Sequence, residues 1–451
     1  MGRAQGWGAS FGIGEEDTFD TYMTPDVYIP ISSESVKGSR PVNSSGNIFN
    51  TRANTFNLPG IIECTGNFQF EADAHHLGLP LKLWNGQVSS AAFAPSATPT
   101  ATIAAGGTLP AGVYYYKTAV ILQRTSDGKR FWGSGSSASS SVTSAASDNT
   151  TNLSWTNPAI PSGHTHYGTA IFRTPVGVAA TTTYYLSTVV GTGTSTTDTG
   201  SATLSSIPLP AAIYRHSYLL AAPVAGTHPL PSFSVTKLMD QAGDTTETYT
   251  GARMSSFQFA IGDPSAPAQA TFELMARKFS VIANPSPTYT RVRPMMNWQG
   301  FATVDGTLAS YFEGCDFTSN NGLETVPALA GEQYHRDFYP GMRETTGTLN
   351  FGYENKDNWD RMRNATEFSL SVLCDGTPTT AGSLTTISSV VYQAYPYSIE
   401  INMPKCLFTD AGGNISGGAR MTESAPFRCS YDSTLASELA IYLVNGTASY
   451  A

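Results

Sequence analysis

A chain of 451 residues is too long for one ordinary core, so two or three domains are expected. Hydrophobic residues make up 40% and charged residues only 13%, with 42 Gly and 27 Pro, a profile that excludes a disordered chain and favours an all-β protein with many turns. The formal net charge of −9, with no cluster of Lys and Arg, argues against a surface that grips nucleic acid, although it suits one that nucleic acid slides past.

The five cysteines (Cys64, Cys315, Cys374, Cys406, Cys429) are odd in number and contain no Cys-x-x-Cys pair, so neither a zinc ribbon nor a redox motif is supported. Buried thiols in a reducing compartment are the plain expectation. The first residues hold no apolar core of a secretory signal, and no apolar run approaches the roughly 20 residues of a membrane span, so a soluble product made in a cytoplasm is expected.

In chain order, residues 1–11 form a small-residue arm whose large apolar groups are Trp7 and Phe11; such an arm frays or docks on a neighbour. A polar loop follows at 12–21, then a strand over Val27–Ser35 in which Pro30 argues for an edge position. The polar stretch Lys37–Leu58 carries Arg40, Asn43, Asn47, Asn50, Arg52 and Asn54. It is either a mobile surface loop or, as connections this long usually are, a segment with a task.

The stretch Pro59–Glu71 then recurs as Pro340–Gly352, an offset of 281 residues, with six matched residues (Pro, Gly, Glu, Thr, Gly, Phe) in thirteen positions. Apolar residues alternate after the second Gly of each copy, at Phe68, Phe70 and Ala72 and at Leu349, Phe351 and Tyr353, so each copy predicts a half-buried strand entered from a Pro-Gly turn. The reading is a β-rich core whose two halves each carry one copy.

Leu77–Trp84 closes the first block, after which composition shifts. Residues 96–210 are rich in Ser, Thr, Ala and Gly and lack Glu, Met and Cys. Strand-like runs at Ala111–Val120, Leu153–Trp155, Tyr167–Arg173 and Leu186–Val189 are separated by Gly- and Pro-rich turns. From Pro229 the earlier pattern resumes, with alternating strands around Gly262-Asp263-Pro264, a short helix over Asn355–Asn364, and late strands at Ile387–Tyr392, Ser398–Met403, Arg428–Tyr431 and Leu439–Val444.

Catalytic signatures are missing: there is no phosphate loop and no Gly-x-Ser-x-Gly elbow. Gly12-x-Gly14 and Gly191-x-Gly193 do not open helices, so a dinucleotide site fails. His75-His76 near Asp73 reads as a solvated turn, and His164-Thr165-His166 has no acid or thiol beside it in the sequence. The acids Glu63, Glu71, Asp73, Glu344 and Glu354 form no pair that sequence alone can bring together. No catalytic, cofactor-binding or metal-binding residue is expected.

The order of pieces resembles a known family. A Gly12-Ile13-Gly14-Glu15-Glu16-Asp17-Thr18 loop leads to a strand ending Ile31-Ser32-Ser33-Glu34-Ser35, a polar segment and the Pro-Gly…Gly strand. Tyr214–Ser217, Leu230–Val235 and Gly251–Phe259 follow. This is similar to the major tail tube proteins of long-tailed, siphovirus-type bacteriophages over roughly residues 10–90 and 211–450. Residues 96–210 resemble a fibronectin type III or immunoglobulin-like sandwich without the disulfide, set into a surface loop.

The resemblance implies a mainly β fold: a tail-tube β-sandwich or barrel core (12–95 and 211–451) with one or two short helices, plus the inserted sandwich. It implies homo-hexameric rings stacked head to tail into a tube through which phage DNA passes without specific binding. Tape measure, tail terminator and baseplate or distal tail proteins are the implied neighbours, in a virion tail assembled in the host cytoplasm. Trp7, Phe11, Arg40, Asn43, Asn47, Asn50, Arg52 and Asn54 become candidate inter-ring contacts, with 37–58 as the inter-ring loop. Glu63, Glu71, Asp73, Glu344 and Glu354 become candidate lumen acids, whose charge repels passing DNA. The insert would decorate the exterior, with weak glycan contact as one role. The alternatives are a β-sandwich carbohydrate or cell-surface binding protein and a glycan-cleaving enzyme on a β-scaffold.

Overall fold

Two nine-residue strands, Glu63–Glu71 and Glu344–Gly352, form where the repeated stretch alternates, and both of their bounds differ by the same 281 residues. Phe68 and Phe70 in the first and Leu349 and Phe351 in the second face the core, and the intervening residues face outward, as the two-residue period of a strand requires. The computed structural model describes residues 9–44, 57–145, 147–181, 183–202, 204–205, 207–209, 212–220, 228–239, 246–282, 286–328, 332–376, 385–387, 390–414 and 420–450.

The likeness of the halves extends well beyond the thirteen residues legible in the sequence. Strands Ile31–Glu34 and Lys37–Ser39 flank the first central strand, and Phe312–Asn320 flanks the second. Ile31 faces Phe70 as Phe312 faces Phe351, and Lys37 faces Thr65 as Thr318 faces Thr346. A bulge falls between Ile31 and Ser33 and, at the same offset, between Phe312 and Gly314. Each flank then continues into a hairpin. The first joins Val42–Ser44 to Asn57–Pro59, and the second joins Leu323–Val326 to Asp337–Pro340. The Pro-Gly turns close alike: the Gly60 N–H donates to Pro41 O at 2.8 Å and the Gly341 N–H to Gly322 O at 3.0 Å. Lys37–Leu58 is therefore strand and hairpin wherever it is described, not an unstructured connection.

On the other side of each central strand lies an eight-residue partner, Gln269–Ala276 or Thr422–Cys429. Gln269 faces Glu71 as Thr422 faces Gly352. Beyond these, the long strand Thr246–Ile261 serves the first half, and the end of Ser398–Phe408 with the short Gly413–Asn414 serves the second. Met254 faces Leu274 as Phe408 faces Phe427, and Phe259 faces Ala270 as Gly413 faces Glu423, with the same one-residue slip between. The halves join where Ser256–Ile261 pairs with Cys315–Asn320, giving one continuous sheet.

The fold is mainly β, with two short α-helices among the described residues, one after each central strand. Gly78–Asn85 was legible only as an apolar run. It is helical because Pro80 is tolerated in a first turn, and Gly86 ends it in the left-handed region (φ 92°), its N–H closing on Lys82 O at 2.8 Å. The helix is buried nearly all round by Leu79, Leu81, Leu83 and Trp84. Asp357–Arg363 is the expected second helix; it is amphiphilic in charge instead, with Asp357 and Asp360 early and Arg361 and Arg363 late, matching the helix dipole.

The shared core is aromatic: Phe272 lies 5.5 Å from Phe68 and 4.8 Å from Phe257, and Phe11 lies 4.8 Å from Phe68, centroid to centroid. Phe11 thus corrects the expectation that residue 11 belongs to an arm that frays or docks on a neighbour. Ser10–Glu15 is a strand between Val27–Ile29 and Phe233–Leu238, and the Phe11 ring is fully buried.

Within 96–210, Tyr116–Arg124 pairs with His164–Arg173, which pairs with Tyr185–Val190. A second sheet holds Thr100–Ala104, Thr150–Ser154 and Ser195–Asp198. Tyr116 and Ile171 of the first sheet share a core with Leu153 of the second and with Trp155. Between the sheets the buried Arg173–Asp198 pair closes at 2.6 Å, with the Tyr116 hydroxyl donating to Asp198 at 3.1 Å. The first sheet does not end with this stretch: Arg130–Trp132 pairs in parallel with Val390–Ala394, far downstream. Arg124 ties the two together, reaching Asp375 at 2.7 Å and Asp127 at 2.6 Å. Both contributions leave the core at comparable places, because each helix is followed by an antiparallel strand pair, Ser89–Ala92 with Tyr214–Tyr218 and Phe368–Asp375 with Ser398–Phe408.

Candidate assembly surfaces

The acids expected to share one face are scattered by the fold. Glu63, Glu71, Glu344 and Glu354 are exposed. Glu344 accepts from Arg428 at 3.0 Å, and Glu63 lies 3.8 Å from His335. Asp73 is a correction: at 2% exposure it cannot line a channel. Its Oδ1 accepts the backbone N–H groups of His75 (2.9 Å) and His76 (2.8 Å), and its Oδ2 sits 2.7 Å from His76 Nδ1. The His75-His76 turn is therefore a buried corner, not a solvated one, and burial pulls the His75 pKa below its ordinary value. His164 likewise has its pKa lowered by burial, with Nε2 3.1 Å from the Tyr395 hydroxyl. Among the described residues no group of His, Cys, Asp and Glu could hold a metal ion. Cys64, Cys315, Cys374 and Cys406 are buried free thiols and Cys429 is half-buried.

Of the candidate contact residues, Arg40 and Asn43 are exposed at the base of the first hairpin, and Arg40 Nε donates to Gly60 O at 2.9 Å. Phe11 is a core residue and leaves the set. Trp7, Asn47, Asn50, Arg52 and Asn54 lie outside the described residues.

The hairpins and the Pro-Gly turns form the surface that sequence reasoning missed. The far end of the second hairpin lies against the first turn. The Ile62 N–H donates to Gln333 O at 2.7 Å, and Ile62 forms a bridge with Tyr334. Arg277 clamps the same segment, donating to His335 O at 3.1 Å and pairing with Glu332 at 2.7 Å and with Asp20. Among the described residues the second turn has no such cover. Met342 is 92% exposed, and beside it opens a cavity of about 650 Å³ lined by Met342, Glu344, Arg428, Ser430 and Tyr431. Next to Met342, Arg343 turns inward and is held by Glu438, by Asn85 at 2.9 Å and by Ser437 at 3.1 Å, above the Trp84 ring.

One sheet edge is open in the same asymmetric way. Phe312–Asn320 is paired on both sides, whereas its twin, Ile31–Ser39, pairs among the described residues only with Glu63–Glu71. A strand paired on one side only and an exposed apolar turn are features through which β-rich subunits associate. This defines a β-rich assembly subunit with a duplicated sheet. The family model described as phage tail tube protein matches residues 6–429, and the chain belongs to that family. It is accordingly a structural component of a phage tail. No curated protein matches it. No helix among the described residues is long and apolar enough to cross a membrane.

Proposed function

We propose that this protein is the major tail tube subunit, polymerising into rings that stack head to tail around a lumen through which DNA passes. The open Ile31–Ser39 edge carries the reading, since its twin in the same chain already makes the edge-to-edge contact that a ring requires. The six-subunit ring implied by the resemblance becomes a ring of six sheet modules. The residues before Ser10 link successive rings. Glu71 and Glu354, exposed and without a cationic partner among the described ion pairs, are the acids left to face DNA. Tape measure, terminator and distal tail proteins bind the ends of the tube.

Residues 96–210 form an outward-facing immunoglobulin-like decoration, and their hydroxyl-rich surface gives weak contact with glycans. Its sheet shares strands with 385–394, so the decoration is fastened at two points.

Negative-stain electron microscopy of the purified protein at rising concentration tests the reading. Hollow rings or tubes with external knobs are expected. Single particles at every concentration, with binding on a glycan array, would replace the tube by a carbohydrate-binding module.

A further inference from the structure

The junction between the two halves of one chain is a template for the junction between chains. On one side of it, the first half offers its long strand, Ser256–Ile261, and its Pro-Gly turn at Ile62. On the other, the second half offers its flanking strand, Cys315–Asn320, and the far end of its hairpin at Gln333–His335. The same four pieces exist once more, unjoined. The second half's counterpart of the long strand is the segment from Phe408 to Asn414, and its turn is Gly341–Glu344. The first half's counterpart of the flank is Ile31–Ser39, and its hairpin is Val42–Pro59.

We propose that the Asp410–Asn414 edge and the cavity beside Met342 receive, respectively, the Ile31–Ser39 edge and the first hairpin of a second copy of this chain. A ring of six modules then closes with three chains. The inference rests on the ring reading above and adds the interface and the chain count. Three observations within the chain select this occupant. The registers of the two halves agree at every pair from the flank to the hairpin at one offset. The cavity lies where the first half is filled: Ser430 follows Thr422–Cys429 as Arg277 follows Gln269–Ala276, and Arg277 is the residue that holds the inserted hairpin. The apolar groups at the empty place are exposed, Met342 and Tyr431 on the turn side and Val42 and Leu58 on the first hairpin. Such an interface is heterologous, one surface meeting a different one, and it closes a ring when each module turns by one sixth of a circle relative to the last.

The register names its own test. Gln258 faces Thr318 within the chain; the unjoined counterparts of these residues are Gly412 and Lys37. Lys37 is exposed, and a Cβ at Gly412 meets no atom within 4 Å, so both positions accept cysteine without disturbing the fold. The full-length double variant Lys37→Cys/Gly412→Cys, assembled and then oxidised, is expected to give a covalent ladder that ends at a closed three-chain species on denaturing gels. Image reconstruction of unmodified tubes is expected to show three copies per ring. A ladder ending at six, or six copies per ring, overturns the chain count and leaves the tube reading standing. Tubes that form but do not cross-link overturn the interface. Failure of the unmodified protein to form rings under any condition removes the tube reading, and this inference with it.

Discussion

The two halves of the molecule have the same backbone and different surfaces. Ile31–Glu71 and Phe312–Gly352 agree in strand bounds, register, bulge and turn closure, yet among the described residues the first Pro-Gly turn is covered from within the chain and the second is bare. At matched positions the covered turn carries Ile62 and the bare turn Arg343. The apolar residue suits a site where a neighbouring segment removes it from water. The cation instead turns away from its own turn into a buried network with Glu438, Ser437 and Asn85, leaving Met342 as the outermost group. Backbone geometry is what the halves share; side chains differ with the contact each turn makes inside the chain.

The largest expected effect lies at that divergence. Arg343→Leu strands Glu438, whose side chain is 9% exposed, without its cation and leaves the acceptor on Asn85 unpaired. Removing one member of a buried pair costs about 3–5 kcal/mol, so the urea unfolding midpoint should fall sharply. Ile62→Ala, at the matched position, removes only part of a half-buried side chain and should cost about 1 kcal/mol. Equal losses at the two sites would show that the halves do not differ here.

The next effect concerns what the halves share. A Cβ on Gly66 would lie 2.4 Å from Val36 Cα, and one on Gly347 would lie 2.5 Å from Asp316 O and 2.6 Å from the Phe427 ring. Both glycines let the bulged flank approach the central strand. Gly66→Ala and Gly347→Ala should each destabilise by about 1–3 kcal/mol through overpacking, with Gly66→Ala the worse because the atoms it meets are all backbone. Denaturant midpoints of the two single variants give the comparison directly. If either variant is neutral, the close approach is not a constraint common to both halves.

How far this was legible follows from the same chemistry. Residues 59–71 and 340–352 betrayed the duplication because a Pro-Gly turn and a close-packed Gly each tolerate few substitutes. The preceding thirty residues did not, because strand pairing is made by the backbone. Ile31 and Phe312, Val36 and Phe317, and Val42 and Leu323 keep apolar character at matched positions without keeping identity. Phe11 misled because a lone aromatic in a small-residue segment shows no period; the strands that bury it begin at Val27 and Phe233. Asp73 reads as a surface acid in the sequence, although its spacing to His75 and His76 is that of an Asp accepting from its own turn. The downstream strand that extends the sheet of Tyr116–Arg124 could not be read at all, since nothing in Val390–Ala394 names a partner about 260 residues earlier.

The smallest effect on stability is the sharpest on function. Met342 touches little of its own chain, so Met342→Asp should move the unfolding free energy of the isolated subunit by no more than about 0.5 kcal/mol. Ile61, its counterpart, is half-buried next to Ile62, which bridges to Tyr334 of the second hairpin, and Ile61→Asp places a charge beside that covered contact, so it should lower the unfolding midpoint. For assembly the ranking reverses. If the bare turn is where a second chain seats its hairpin, Met342→Asp puts a carboxylate into an interface that must be desolvated, beside Glu344 of the same turn, and rings should be lost while the subunit stays folded. Sedimentation of the folded variant separates the cases. A Met342→Asp subunit that is as stable as the parent and still assembles would mean that the bare turn faces solvent in the ring, and that the likeness of the halves stops at the edge of the sheet.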